Sequence, residues 1–130
     1  MSKVRVLLAD NHEAILAQVR AVLSEEFEVV GAVKNGLEAV AEVTRLDPDV
    51  LVTDISMPIL DGLEAASQLR STRRTRIVFL TVHEDPDFVA AAFSSGASGY
   101  VIKSDVTTDL IPAIREAVDG GTYISKSLLP

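Results

Sequence analysis

The chain contains no cysteine. That excludes a disulfide framework, a thiolate zinc centre and a cysteine nucleophile. Histidine occurs only twice, at His12 and His83, so a histidine-rich metal site is excluded as well. Positive charge is in short supply: 12 Lys and Arg face 19 Asp and Glu, for a formal net charge of −7. That sign argues against the chain gripping nucleic acid or an anionic membrane unaided. Long hydrophobic runs are missing too, and none approaches the roughly 20 residues needed to span a bilayer. The opening MSKVRVLLAD passes straight into a strand-like segment with an early acid. It lacks the longer apolar stretch and small-residue cleavage site of a signal peptide, so a cytoplasmic location is expected. What is present is a chain of 130 residues, 48% of them hydrophobic. That is about one domain's length and enough for one ordinary core.

Five short apolar runs recur at Val4–Ala9, Phe27–Val33, Val50–Thr53, Ile77–Thr81 and Tyr100–Ile102. Most are rich in Val, Ile and Leu and nearly continuous, which is how strands buried on both faces read. The segments between them carry helical period: Ile15, Val19, Val22 and Leu23; Leu37, Val40 and Ala41; Leu63, Ala66 and Leu69. Phe88, Val89, Ala92 and Phe93 repeat it, and Leu110, Ile114 and Val118 close it. Asn35-Gly36, Asp47-Pro48-Asp49, Asp61-Gly62 and Asp85-Pro86 punctuate the boundaries. Thr107 or Thr108 is placed to cap the fifth helix, and Gly120-Gly121 to end it. The reading is a (βα)5 alternation. It predicts a doubly wound five-stranded parallel sheet with helices on both faces. One domain is expected over residues 1–121, with 122–130 as a tail, an extra turn or the start of a linker.

In open α/β sheets, ligands sit beyond the carboxyl ends of the strands. Asp10, Asn11, His12 and Glu13 follow the first run, and Asp54, Ile55 and Ser56 the third. Thr81 closes the fourth, and Lys103 follows the fifth. Taken singly, each has a plainer role: Asp10 or Asn11 as a helix cap, Asp54 as a turn residue, Thr81 as a β-branched strand residue, Lys103 as a surface charge. Together they place carboxylates, an amide, a hydroxyl and an ammonium along one edge. Close carboxylates repel, and a divalent cation relieves them. Oxygen ligands without sulfur favour Mg²⁺, which needs only two or three protein oxygens. A carboxylate beside such an ion can attack a phosphoryl group. Lys103 and Thr81 are the residues to neutralise and hydrogen-bond the phosphoryl oxygens.

The stretches VRVLLADNHE, LVTDISMPILDGLEA, IVFLTVH and GYVIK, in that order, resemble a bacterial two-component response-regulator receiver domain of the CheY-like type. The resemblance covers about Val4 to Asp119, and Asp54-Ile-Ser-Met-Pro-Ile-Leu-Asp-Gly is its most specific piece. It implies a flavodoxin-like strand order 2-1-3-4-5. It implies that Asp54 takes a phosphoryl group from a sensor histidine kinase, in a phosphorelay forming an aspartyl phosphate. Asp10 and Asn11 match the acidic pair that holds Mg²⁺ with Asp54 and the backbone carbonyl of Ser56. Thr81 matches the switch hydroxyl, Lys103 the phosphoryl-contacting lysine, and Tyr100 the aromatic that changes rotamer with Thr81. Ser56 and His83 occupy positions that modulate phosphoryl lifetime. Pro58 and Gly62 shape the loop after Asp54. The resemblance also implies homodimerisation on phosphorylation, no turnover enzyme, and an effector domain beyond this chain.

Departures from the family pattern carry expectations of their own. Asn11 replaces one acid, so weaker Mg²⁺ binding is predicted. Glu13 is a substitute ligand or, more simply, the first acid of the first helix. Val82 replaces a smaller residue and is expected to narrow access to Asp54. Ser104 after Lys103 and the GGTYIS stretch resemble the NarL/FixJ branch, whose members continue into a helix-turn-helix domain that regulates transcription. A phosphorylation-independent pseudo-receiver, acting as a protein–protein interaction module, is the alternative that Asn11 and Val82 favour. A flavin protein or a phosphatase fits less well. The first of these needs a Ser/Thr/Gly loop after the first strand, and the second an Asp where Ser56 stands. Ser94–Gly99 lacks the lysine of a phosphate loop and reads as a turn.

Overall fold

The computed structural model describes residues 3–70 and 74–129. Met1 and Ser2 of the expected domain, and Pro130 of the expected tail, lie outside the described residues. The elements run β1 (Arg5–Ala9), α1 (Glu13–Leu23), β2 (Glu28–Val33), α2 (Gly36–Leu46), β3 (Val50–Thr53), α3 (Gly62–Leu69) and β4 (Arg76–Thr81). They continue with α4 (Pro86–Ser94), β5 (Gly99–Ile102), α5 (Val106–Val118) and a two-residue β6 (Tyr123–Ile124). Short 3-10 turns at Lys103–Asp105 and Lys126–Leu128 flank the last part. The sheet order is β2-β1-β3-β4-β5-β6, with every pair parallel. The five expected strands are all present in the expected order.

Continuous apolar strands make sense because the sheet is covered twice. Val6, Leu8, Val50, Val52, Val78, Leu80 and Val101 point into one core with Val19 and Leu23 of α1 and Leu110 and Ile114 of α5. The alternate residues Leu7, Ala9, Leu51, Ile77, Phe79, Tyr100 and Ile102 point into the other, with Ala39 and Val43 of α2, Ala66 and Leu69 of α3, and Ala92 of α4. A period of two therefore sorts one apolar run into two cores.

Helix starts follow their side chains. Asn35 and Asp61 each accept the backbone N–H three residues on, from Glu38 and Glu64, both at 2.8 Å. Asp85 accepts from Asp87 N at 2.8 Å, and Pro86 opens α4. The fifth helix differs from expectation. It begins at Val106, directly out of the 3-10 turn, with Asp105 at the cap position and no side-chain cap bond. Neither Thr107 nor Thr108 caps it, because both lie inside the first helical turn. Gly120, at φ +88°, follows its end.

The segment after α5 adds an element that the apolar runs did not announce. Tyr123 and Ile124 pair with Gly99 and Tyr100. Ser125 is fully buried, and its hydroxyl accepts from Ile102 N at 2.9 Å. The buried carboxylate of Asp109 accepts from Lys126 N at 3.1 Å. Within residues 122–130, expected as a tail, an extra turn or the start of a linker, Tyr123–Ile124 form a short strand and Lys126–Leu128 a 3-10 turn.

Candidate functional site

The direction of winding reverses between β1 and β3, so the two connections leaving them part to opposite sides. Asp10 follows β1 and Asp54 follows β3, and both are buried, at 3% and 5% exposure. Backbone bonds fix their positions: Asp10 N donates to Val33 O and Asp54 N to Ala9 O, both at 3.0 Å. Lys103, at the end of β5, reaches across to both. Its Nζ lies 2.8 Å from Asp10 Oδ2 and 2.9 Å from Asp54 Oδ2. Burial works against the ammonium, but the hydrogen bonds and charges of the two carboxylates outweigh it, and the Lys103 pKa is raised.

The second oxygen of each carboxylate is held locally. Asp54 Oδ1 accepts from Ile55 N at 2.7 Å, and Asp10 Oδ1 from His12 N at 2.9 Å. Behind Asp54, Thr53 Oγ1 donates to the Asp54 carbonyl at 2.9 Å. Gly62 packs so close to that carbonyl that an added Cβ would fall 2.0 Å from the oxygen. The glycine is required by approach, and any side chain there would displace the acceptor loop.

Thr81 ends β4, fully buried, and its Oγ1 accepts from His83 N at 3.3 Å. Tyr100 is fully buried as well, and its hydroxyl donates to the His83 carbonyl at 2.7 Å. Burial, then the charges of Asp54 and Asp85, push the Tyr100 phenol up to about 12. The His83 ring stacks on Phe88 of α4, with centroids 4.1 Å apart, and its Nε2 is hydrogen-bonded to Ser56 Oγ at 2.8 Å. Asp54, Thr81, Tyr100 and Lys103 therefore share one edge, and His83 contacts two of them, Thr81 and Tyr100, as well as Ser56 and Phe88.

Other residues singled out from sequence fall differently. Asn11 is exposed. The residue at the α1 cap position is His12, without a side-chain cap bond, so neither Asp10 nor Asn11 caps that helix. Glu13 opens α1 and pairs with Lys34, which places it in the dipole-matching role of a first-turn acid. Val82 is 64% exposed, so most of its bulk lies in solvent. The Ser56–His83 bond joins residues 27 apart and has no signal in local sequence, whereas His12 approaches Asp10 through a local turn in which Asp10 Oδ1 accepts from His12 N.

The donor chemistry fits a hard divalent cation. Asp10, His12 and Asp54 each offer one ligand atom, and these atoms lie within 4.8 Å of one another. Two of the three are buried carboxylates, whose oxygens suit a divalent cation.

A doubly wound parallel sheet whose switch point gathers these carboxylates against a strand-end lysine has the architecture of a receiver-type signalling domain. The chain belongs to the response regulator receiver domain family, whose model matches residues 6–115, and falls in its CheY-like NarL/FixJ branch. It is 34% identical to the transcriptional regulatory protein MctR of Rhizobium johnstonii, over 97% of this chain and 60% of that protein. It is similar in structure to the signal receiver domain of a NarL response regulator from Mycobacterium tuberculosis, with a TM-score of 0.88 and 31% identity, covering 92% of this chain and 99% of that one. A LuxR-family two-component response regulator from Aurantimonas sp. SI85-9A1 matches with a TM-score of 0.92 and 30% identity, covering 98% and 93%. The chain spans little more than half the length of the curated relatives it matches.

Proposed function

We propose that Asp54 is a phosphoacceptor that takes its phosphoryl group from a histidine kinase. The observation that carries this is the reach of Lys103 Nζ to within 2.9 Å of Asp54 Oδ2, in a buried acidic pocket at the switch point. In the transfer, the phosphorus–nitrogen bond of the phosphohistidine breaks as a bond forms from an Asp54 carboxylate oxygen. Lys103 neutralises charge on the arriving phosphoryl oxygens, and the Thr81 hydroxyl donates to one of them. Asp10, Asp54, the Ser56 carbonyl and Asn11 would hold Mg²⁺, which would supply further positive charge at those oxygens. The chain is a substrate of the kinase rather than a turnover enzyme.

Phosphorylation adds about −1.5 to −2 charge and three acceptor oxygens. Drawing Thr81 inward breaks its bond to His83 N, and the His83 carbonyl holds Tyr100. Loop, Tyr100 and the face formed by α4, β5 and α5 then change together between two states. That face serves homodimerisation and control of an effector domain, in keeping with the transcriptional regulators to which the chain is similar. A cytoplasmic location follows from this role, and no helix among the described residues is long and apolar enough to cross a membrane. A phosphorylation-independent role would draw on Asn11 and Val82, yet neither disturbs the contacts of Lys103 with Asp10 and Asp54.

The test is to incubate the chain with acetyl phosphate and Mg²⁺ and weigh it intact. One phosphoryl adduct is expected on the wild type and none on Asp54→Asn. An unmodified wild type, or an adduct that survives the substitution, overturns the reading.

A further inference from the structure

His12 sits where a metal ligand would. Its Nδ1 lies 3.1 Å from Asp10 Oδ1, and it offers a ligand atom within 4.8 Å of one from Asp54. Ligands at about 2.1 Å from an octahedral ion stand about 3 Å apart when adjacent and about 4.2 Å when opposite, so small side-chain movements complete the set. Lys103 approaches both carboxylates at Oδ2. The Oδ1 side of Asp10 is the side that His12 shares. The ring makes no cap bond to α1, and its side chain is 62% exposed, so its second nitrogen can carry the proton toward water. Next to it, Asn11 supplies no charge where a second acid would hold a hard ion.

We propose that His12 is a direct nitrogen ligand that turns this pocket toward a later first-row cation such as Co²⁺, in preference to Mg²⁺. The inference deepens the phosphoacceptor reading and depends on its ion site. Imidazole nitrogen binds Co²⁺ well and Mg²⁺ poorly. With an amide at Asn11 in place of an acid and an imidazole beside it, the pocket loses affinity for Mg²⁺ while conserving affinity for Co²⁺. His12 binds through Nδ1 in the tautomer protonated at Nε2, exchanging its hydrogen bond with Asp10 for a shared ion.

Any site favours the later ions to some extent, so the diagnostic quantity is how the preference depends on His12. Titrate the whole chain with Mg²⁺ and with Co²⁺ by calorimetry, as wild type, His12→Gln and His83→Gln. His12→Gln is expected to lower the Co²⁺ to Mg²⁺ affinity ratio about ten-fold or more, mostly through Co²⁺. His83→Gln is expected to leave that ratio unchanged. The Co²⁺ form of the wild type should show one exchangeable, strongly shifted imidazole N–H proton resonance that His12→Gln abolishes. An unchanged ratio in His12→Gln, or a shifted resonance that survives it, overturns the proposal and leaves His12 as a hydrogen-bond partner of Asp10. Phosphoryl transfer to the wild type in Mg²⁺, weighed separately, tests the acceptor reading independently.

Discussion

Ser56 and His83 stand two residues beyond Asp54 and Thr81, and their side chains meet at 2.8 Å. The bond ties the loop after β3 to the loop after β4, and the Phe88 stack ties the second loop onward to α4. The two residues should act on phosphoryl lifetime as one unit. Ser56→Ala and His83→Ala are each expected to shorten the lifetime a few-fold, and the double variant to add little. A coupling of about 1 kcal/mol is expected, the usual net value of one hydrogen bond. Radiolabel decay in the four proteins measures it, and fully additive effects would refute the link.

Lys103 is the only cation shown between Asp10 and Asp54 among the described residues. Lys103→Met leaves two buried carboxylates facing each other without neutralisation. The variant should melt several degrees lower than wild type in chelator, and Mg²⁺ should recover more of the loss than it adds to wild type. Thermal melts with and without Mg²⁺ read the difference. An equal Mg²⁺ increment in both proteins would contradict it.

Gly62→Ala should cost about 3 kcal/mol or more, because the added methyl meets the Asp54 carbonyl rather than a movable side chain. Urea unfolding measures the loss. Gly120→Ala has nothing within 4 Å to strike, so its cost comes only from the positive φ and should be about 1 kcal/mol.

Tyr100 sets an alkaline limit. Its folded-state pKa, about 12, lies above the ordinary 10.0. The protonated phenol is favoured by folding, so its contribution is fully present below pH 10 and is lost between pH 10 and about 12. Stability should decline over that window. Asp54→Asn removes one of the charges that raise the phenol and should lower its pKa. Absorbance titration at the phenolate band, in a Tyr123→Phe background, separates Tyr100 from the second tyrosine.

Much of this was legible before any coordinates. Strands buried on both faces read as unbroken Val, Ile and Leu runs, and the Asn35, Asp61 and Asp85 caps announce their helices. Asp10, Asp54, Thr81 and Lys103 could be placed together because parallel strands put every carboxyl end at one edge. Contacts that depend on loop conformation were not legible. The Ser56–His83 bond spans 27 residues, and His12 reaches Asp10 through a local backbone turn. Two residues of β6 are too few for a hydrophobic period, and its anchors, Ser125 and Asp109, are polar. The fifth helix hid its start because a 3-10 turn replaces the expected threonine cap.

Asp109 ties the stretch after α5 to that helix, and Ser125 ties it to the strand that carries Tyr100. Ser125 clasps Ile102 N through its hydroxyl and Tyr100 O through its own N–H, at 2.9 and 2.8 Å. A movement of that strand by an ångström or so must drag Tyr123–Ser125 with it or break both bonds. The stretch after α5 is thereby harnessed to the strand that carries the Tyr100 ring, and it would travel whenever that strand does.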